Sequence, residues 1–266
     1  MNRAFRVDFL LVGAQKGGTT ALSRFLEAHP DVCIAPGKEL HLFDDPALFR
    51  LDWGSDEAAD RLRSSFPNYA GQARAGEASP TSMYLPGVAE RICRYNPRMK
   101  LIFLLREPAE RAVSHYAHSR RHGAERLPFP LALQLEGHRL RRDRDDFGWK
   151  SSQRWHSYAD RGQYARQIRE MARHFPREQM LFLRTEELAN EHDECLRRVF
   201  RFLEIEVPAR LPPRETVHAT EHHCWAPAFS RRWVARRCYE STLELERITG
   251  WDLSGWKRVA SSPLRL

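Results

Sequence analysis

The sequence predicts an α/β protein in which helices flank a parallel β-sheet, and three features support this fold class. First, three short, unbroken apolar runs lie far apart in the chain, at Phe9–Val12, Leu101–Leu105 and Met180–Leu183. Such runs are typical of strands buried on both faces of a parallel sheet. Second, segments of helical periodicity separate the runs. Third, no internal repeat or Pro/Gly-rich linker divides residues 1–266, which predicts a single domain.

The helical segments follow in chain order. An apolar stripe from Ala21 to Leu26 stops before Pro30, and a second stripe, from Ala109 to Tyr116, begins directly after Pro108. Proline is favourable as the first helical residue because a backbone N–H at that position would have no acceptor within the helix, and proline has no N–H. Three later stripes span Tyr164–Phe175, Leu196–Leu203 and Trp233–Ile248, and we expect the last helix to end at Gly250.

Composition excludes several classes of protein. Hydrophobic residues make up 42% of the 266 residues and aromatic residues 11%, which is too much for a disordered chain. No apolar run approaches the roughly 20 residues of a membrane span, so we expect no stable membrane insertion. The five cysteines form no CxxC pair, and the apolar run Phe9–Val12 is too short for a signal peptide. These features predict a cytoplasmic protein.

The stretch from Gly137 to Gly162 departs from the regular pattern. It is highly charged and contains Trp149 and Trp155 without clean periodicity. Two interpretations remain open, a solvated surface insertion or a segment that faces the substrate, since long loops in α/β domains often carry function.

The loop after the first strand has the features of an anion site. Gly17 and Gly18 allow close backbone approach, the N–H groups at the start of the next helix point outward, and Lys16 adds a full positive charge. Thr19 and Thr20 are suited to cap that helix and to donate hydroxyl groups. Direct passage from strand to helix through KGGTT therefore predicts binding of a phosphate-type anion.

A basic site is also found in two other classes of protein, P-loop kinases and nucleic-acid-binding proteins. A kinase P-loop places its lysine after the last glycine, whereas Lys16 precedes the glycine pair, and Arg106 rather than an acidic Mg²⁺ ligand follows the run Leu101–Leu105. Both features disfavour a P-loop nucleotide kinase, which remains the alternative function. The net charge of +8 also suggests nucleic-acid binding as a function. No DNA- or RNA-binding motif accompanies this charge, so we expect no nucleic-acid partner.

Two segments resemble a known family. KGGTTALSRFLEAHPDV is similar to the 5′-phosphosulfate loop of sulfotransferases that use 3′-phosphoadenosine 5′-phosphosulfate (PAPS), especially the heparan sulfate branch and its bacterial relatives. KLIFLLREPAERAVSHYAH resembles the family's 3′-phosphate segment, which implies that Arg106 and Ser114 bind that phosphate. The resemblance implies a three-layer, P-loop-like fold, PAPS as co-substrate and no metal.

A third segment, GKELHLFDD, resembles the acidic segment that supplies the acceptor base. The resemblance implies that Glu39 takes a proton from the acceptor hydroxyl or amine, that His41 assists it, and that Lys16 stabilises the leaving 5′-phosphate. The implied acceptor is a glycan, a glycolipid or a small molecule.

One position departs from the heparan sulfate branch. Many of its members have a catalytic lysine after a glutamate where this chain has Glu77-Ala78-Ser79-Pro80. Since the methyl group of Ala78 cannot contact a sulfuryl oxygen, the transition-state charge falls on Lys16, His41 or another cation. The resemblance therefore does not extend to a specific heparan sulfate acceptor.

A cluster near the C-terminus raises the question of a metal. It comprises His218, His222, His223 and Cys224. Its spacing matches no standard zinc pattern, because no second cysteine lies two to four residues from Cys224. We therefore expect no metal site.

Overall fold

A computed structural model describes residues 5–37, 39–214 and 226–261. The chain divides into two compact units. The sheet unit comprises residues 1–105 and 170–219, and the helical unit comprises residues 106–169 and 220–266. The single domain expected over residues 1–266 stays a prediction.

The sheet unit contains a five-stranded sheet whose paired strands are all parallel. The strands are β1 (Phe9–Gly13), β2 (Val32–Ile34), β3 (Arg74–Ala78), β4 (Lys100–Leu105) and β5 (Met180–Arg184), in the spatial order β2-β3-β1-β4-β5. The three apolar runs are β1, β4 and β5, which confirms the predicted fold class of a parallel sheet with flanking helices.

The helices are α1 (Thr19–Glu27), α2 (Asp56–Ser64), α3 (Val88–Tyr95), α4 (Pro108–Arg121), α5 (Phe129–Arg142), α6 (Ser152–Trp155), α7 (Tyr164–Ala172), α8 (Thr185–Asn190), α9 (His192–Leu203), α10 (Ala228–Arg237), α11 (Tyr239–Thr249) and α12 (Ser254–Ser261). Helices α1 to α3, α8 and α9 belong to the sheet unit, and α4 to α6 and α10 to α12 belong to the helical unit. Within the described residues, no helix is long and apolar enough to cross a membrane.

One face of the sheet is covered by α1 and α9. Leu22 and Leu26 of α1 and Val199 of α9 are fully buried in one cluster with Leu11 of β1 and Ile102 of β4. The strands are buried on their other face as well, since every residue of β1 is buried. The predicted stripes from Ala21 and from Leu196 therefore form part of this core, where burial of aliphatic side chains is the main stabilising contribution.

The helical unit corrects the expectation of one helix over Trp233–Ile248. The chain forms two helices, α10 and α11, and the break lies at Cys238, which has φ −94° and ψ 0°. The turn lets the fully buried thiol of Cys238 donate to the carbonyl oxygen of Ala159 at 3.4 Å. Helix α11 ends at Gly250 as expected, with φ 73°.

The stretch 137–162 is more ordered than a solvated insertion. Its first residues continue α5, and its last third forms α6 and a 3₁₀ turn at Asp160–Gly162. Tyr158 is fully buried against Tyr116 of α4 and Phe129 of α5. The expectation of a solvated surface is therefore wrong for residues 151–162, because this aromatic core draws them inward.

Candidate functional site

The loop between β1 and α1 packs against the C-terminal ends of β4 and β5. The Ala14 N–H donates to the carbonyl oxygen of Leu104 at 2.8 Å, and the Thr185 hydroxyl donates to the carbonyl oxygen of Gly17 at 2.7 Å. A Cβ atom on Gly17 would lie 2.1 Å from the Leu104 carbonyl oxygen. Glycine is therefore required at position 17 by close backbone approach.

The start of α1 differs in one detail from expectation. Thr19 and Thr20 are the first helical residues, and the capping position is taken by Gly18 with φ 99° and no side-chain cap. The expected threonine cap is wrong because a left-handed backbone at this position favours glycine. The first amides of a helix have no intrahelical acceptor, so these N–H groups suit an anion.

A carboxylate–imidazole–carboxylate arrangement follows β2. The Nδ1 atom of His41 lies 3.0 Å from Oδ2 of Asp44, and its Nε2 atom lies 3.6 Å from Oε2 of Glu39. Asp44 is fully buried, whereas the side chains of His41 and Glu39 are 17% and 23% exposed. The Nδ1–H group donates to Asp44, which fixes the ring orientation and leaves Nε2 facing Glu39.

Sequence reasoning missed the residues that hold this arrangement. They lie at every second position where β3 ends: Glu77, Ser79 and Thr81. The Ser79 hydroxyl accepts from the His41 backbone N–H at 3.0 Å and donates to Oε2 of Glu77 at 3.0 Å. The Thr81 hydroxyl donates to Oδ2 of Asp44 at 2.7 Å. No sequence signal gave these residues a role, because the chain turns after Ser79 and the alternation of an extended strand does not continue to Thr81.

Glu77 has an unusual protonation equilibrium. Its side chain is 1% exposed, and burial raises its pKa to about 8. The negative charge of Asp44 raises the pKa further, whereas the Ser79 hydroxyl, the His41 ring and the Leu42 N–H lower it. Glu77 is therefore predominantly neutral at pH 7, next to a fully buried second carboxyl group.

Backbone strain concentrates on the predicted catalytic residues. Among the described non-glycine residues, those with positive φ are Lys16 (70°), Glu39 (63°), His41 (53°) and Glu204 (56°). A left-handed backbone is costly for residues with a Cβ atom, and it persists where surrounding contacts hold it. Three of these four residues are the ones that the sequence assigned to chemistry.

The helical unit contains the remaining two predicted residues. Arg106 lies two residues before the start of α4. Its Nη2 atom lies 3.7 Å from Oε2 of Glu110, and its carbonyl oxygen accepts from the Tyr164 hydroxyl at 2.7 Å. Ser114 is buried on α4, and its hydroxyl has no hydrogen-bond partner among the described residues. A buried hydroxyl of this kind fits an oxygen-rich ligand such as a phosphate.

The predicted site residues thus fall into two sets. In the sheet unit, the loop Lys16–Thr20 and the pair Glu39–His41 both lie at the carboxyl ends of the strands. The loops that follow β1, β2 and β3 leave parallel strands, so they start on the same side of the sheet. Arg106 and Ser114 lie in the helical unit. That both sets bind one ligand stays a prediction.

The described residues include no group of three or more His, Cys, Asp or Glu side chains arranged to hold a metal ion. The cluster of His218, His222, His223 and Cys224 lies outside the described residues.

Comparisons with known proteins agree with these features. A family model described as a sulfotransferase domain matches residues 6–250. Heparan sulfate glucosamine 3-O-sulfotransferase 3B1 of Mus musculus is 32% identical over 194 residues, which cover 73% of this chain and 45% of that protein. Heparan sulfate glucosamine 3-O-sulfotransferase 6 of Homo sapiens is 31% identical over 194 residues, covering 73% of this chain and 51% of that protein. The chain thus spans about half the length of these relatives.

A solved structure is similar over nearly the whole chain. The crystal structure of a sulfotransferase from Alicyclobacillus acidocaldarius superposes with a TM-score of 0.75 at 29% sequence identity. The match covers 96% of this chain and 100% of that chain. The parallel sheet with flanking helices is therefore shared with a bacterial sulfotransferase.

Proposed function

We propose that this chain, which belongs to the sulfotransferase family, transfers a sulfuryl group from PAPS to a hydroxyl or amine of an acceptor. The observation that carries the proposal is the Glu39–His41–Asp44 arrangement, in which a buried carboxylate orients an imidazole toward a partly exposed carboxylate. This arrangement and the glycine loop both lie at the carboxyl ends of the strands. Sulfuryl transfer needs these parts together: a base for the acceptor proton and cationic or N–H groups where charge develops.

The residues that would hold the co-substrate follow from their chemistry. Lys16, Gly17, Gly18, Thr19 and Thr20 offer an ammonium group, helix-start amides and hydroxyls to the 5′-phosphosulfate. The fit is supported by Gly17, whose backbone approaches too closely for any Cβ atom. When bound, PAPS supplies the sulfuryl group.

The 3′-phosphate is assigned to Arg106 and Ser114. A guanidinium group binds phosphate oxygens through paired, charge-assisted hydrogen bonds. The buried hydroxyl of Ser114 can donate a hydrogen bond to the same phosphate. No metal is needed in this scheme, because lysine and arginine side chains fill the charge-stabilising positions.

Glu39 acts as the general base. Its carboxylate is exposed enough to meet an acceptor, and its Oε2 atom lies 3.6 Å from Nε2 of His41. His41, oriented by Asp44, places its Nε2 atom beside this carboxylate and offers polar contact to the transferring group. Because Ala78 provides no cation, Lys16 stabilises most of the developing charge.

The acceptor is proposed by class. Two relatives are named for transfer to the 3-O position of heparan sulfate glucosamine, which supports a carbohydrate hydroxyl as one class. The residue Ala78 favours a wider choice of glycan, glycolipid or small-molecule acceptors. We assign no nucleic-acid partner.

The experiment is a screen of acceptor classes with ³⁵S-labelled PAPS, followed by Glu39→Gln on the best acceptor. We expect turnover to fall by roughly 10²–10⁴-fold, the usual contribution of a positioned proton acceptor, while affinity for 3′-phosphoadenosine 5′-phosphate stays unchanged. Glu27→Gln, at an exposed position of α1, is the matched control. Near-full turnover of Glu39→Gln would show that the base is another group.

A further inference from the structure

We infer that Glu77 is a positioning residue for the Glu39–His41 pair, acting through Ser79, and that its ionisation disturbs this pair. The inference rests on the proposed function for its kinetic consequence. Its structural consequence, the conformation of His41, is measurable without any turnover.

The first step is the route from Glu77 to the His41 backbone. Ser79 has one hydroxyl proton, which it donates to Glu77, and its oxygen accepts from the His41 N–H. Both distances are 3.0 Å. The carboxyl group therefore decides which way the hydroxyl points, and thereby keeps the oxygen lone pairs available to the His41 N–H.

The second step is what this contact holds. His41 has φ 53° and Glu39 has φ 63°, both unfavourable for residues with a Cβ atom. The partly buried hydrogen bond from the backbone N–H of His41 to Ser79 opposes relaxation of this turn. Loss of that bond would move the imidazole, and with it the 3.6 Å approach of Nε2 to Glu39.

The third step is the second contact to the same ring. Thr81 donates to Asp44 at 2.7 Å, and Asp44 lies 3.0 Å from Nδ1 of His41. The backbone of His41 is thus held through Ser79 and its ring through Asp44, both from the end of β3. When it is ionised, Glu77 also acts on the contact through Asp44, because the two carboxylate charges repel.

The fourth step is the effect of ionisation. The charged groups that act on Glu77 are Asp44 and His41, and burial disfavours its ionised form most strongly. Neutral Glu77 leaves Asp44 as the single buried anion that pairs with His41. An ionised Glu77 adds a second buried anion, which repels Asp44 and competes with it for the imidazole proton.

The kinetic test compares Glu77→Leu, which removes the acceptor for Ser79, with Glu77→Gln, which retains a carbonyl acceptor but cannot ionise. We expect kcat of Glu77→Leu to fall about tenfold or more, with partial rescue by Glu77→Gln. Wild-type kcat should fall by about tenfold per pH unit above pH 8, and Glu77→Gln should lack this decline. Affinity for 3′-phosphoadenosine 5′-phosphate should stay within about twofold throughout.

Ser64→Ala is the control, since Ser64 is an exposed residue of α2 whose hydroxyl donates within that helix, to the carbonyl oxygen of Arg61 at 2.7 Å. Its kcat and pH profile should equal those of the wild type. The inference is overturned if Glu77→Gln keeps the alkaline decline, or if Glu77→Leu turns over as fast as the wild type.

A structural test keeps the inference falsifiable if the Glu77 variants do not fold or no acceptor is found. In Ser79→Ala, hydrogen exchange of the His41 amide, followed by NMR, should accelerate by about tenfold or more, because the amide has lost its acceptor. In the wild type, the ¹⁵N shifts of the His41 ring should change near pH 8. Unchanged exchange in Ser79→Ala, or ring shifts that are flat near pH 8, would overturn the inference whatever the enzyme's activity.

Discussion

The buried carboxyl group of Glu77 predicts a specific dependence of folding stability on pH. Its pKa is raised from 4.5 to about 8 in the folded protein, so between these values the folded chain holds one proton more than the unfolded chain. The free energy of unfolding therefore falls as pH rises through this window, by about 1.4 kcal/mol per pH unit. Glu77→Gln carries no titrating group. Its stability relative to wild type should rise by about 2.5 kcal/mol from pH 5.5 to pH 7.5.

The assay is urea unfolding of both proteins at pH 5.5, 6.5 and 7.5, with circular dichroism as the signal. Other titrating groups are common to both proteins, so they cancel in the difference. Glu57→Gln, at an exposed position in the first turn of α2, should give a difference that does not change with pH. A flat difference for Glu77→Gln would refute the reasoning, because it would mean that Glu77 is ionised in the folded protein.

Four further predictions follow from the site and the core. Ser114→Ala should weaken binding of 3′-phosphoadenosine 5′-phosphate about tenfold or more but leave adenosine 5′-phosphate unaffected, as measured by calorimetry. Gly17→Ala should abolish binding of both nucleotides, since its Cβ would lie 2.1 Å from the Leu104 carbonyl oxygen; wild-type affinity would contradict this. Leu22→Ala, in the fully buried core, should cost about 2–5 kcal/mol in urea unfolding. Turnover should survive EDTA, and loss that Mg²⁺ or Zn²⁺ restores would contradict the metal-free scheme.

The sequence predicts strands β1, β4 and β5 better than β2 and β3, which lie side by side at one end of the strand order. Strands β1, β4 and β5 are continuous apolar runs, and burial on both faces requires that composition. Strand β2 has only three residues, and β3 reads Arg-Ala-Gly-Glu-Ala, which has no strand signal. Glu77 lies inside β3, and its Oε2 atom accepts from the Ser79 hydroxyl just beyond the strand. Tertiary contact, rather than local propensity, decides such positions.

Motifs in the sequence predict part of the candidate site, and the roles of its residues stay predictions. The loop Lys16–Thr20 and the pair Glu39–His41 stand out by spacing and by resemblance. Both lie at the carboxyl ends of the parallel strands in the structure. The contribution of Ser79 was not predictable, because a serine hydroxyl between a buried carboxyl group and a backbone N–H leaves no pattern in composition. The buried state of residues 151–162 was hidden in the same way by their charged neighbours.

The most direct measurement of the central claim is isothermal titration calorimetry of the whole protein with 3′-phosphoadenosine 5′-phosphate, adenosine 5′-phosphate and ATP with Mg²⁺. If Lys16 and the glycine loop bind the 5′-phosphate while Arg106 and Ser114 bind the 3′-phosphate, the bisphosphate should bind at least about tenfold more tightly than the monophosphate. Lys16→Ala should weaken both of these ligands, and ATP with Mg²⁺ should bind more weakly than the bisphosphate. Equal affinity for the two adenosine phosphates, or preferential binding of ATP with Mg²⁺, would contradict the account.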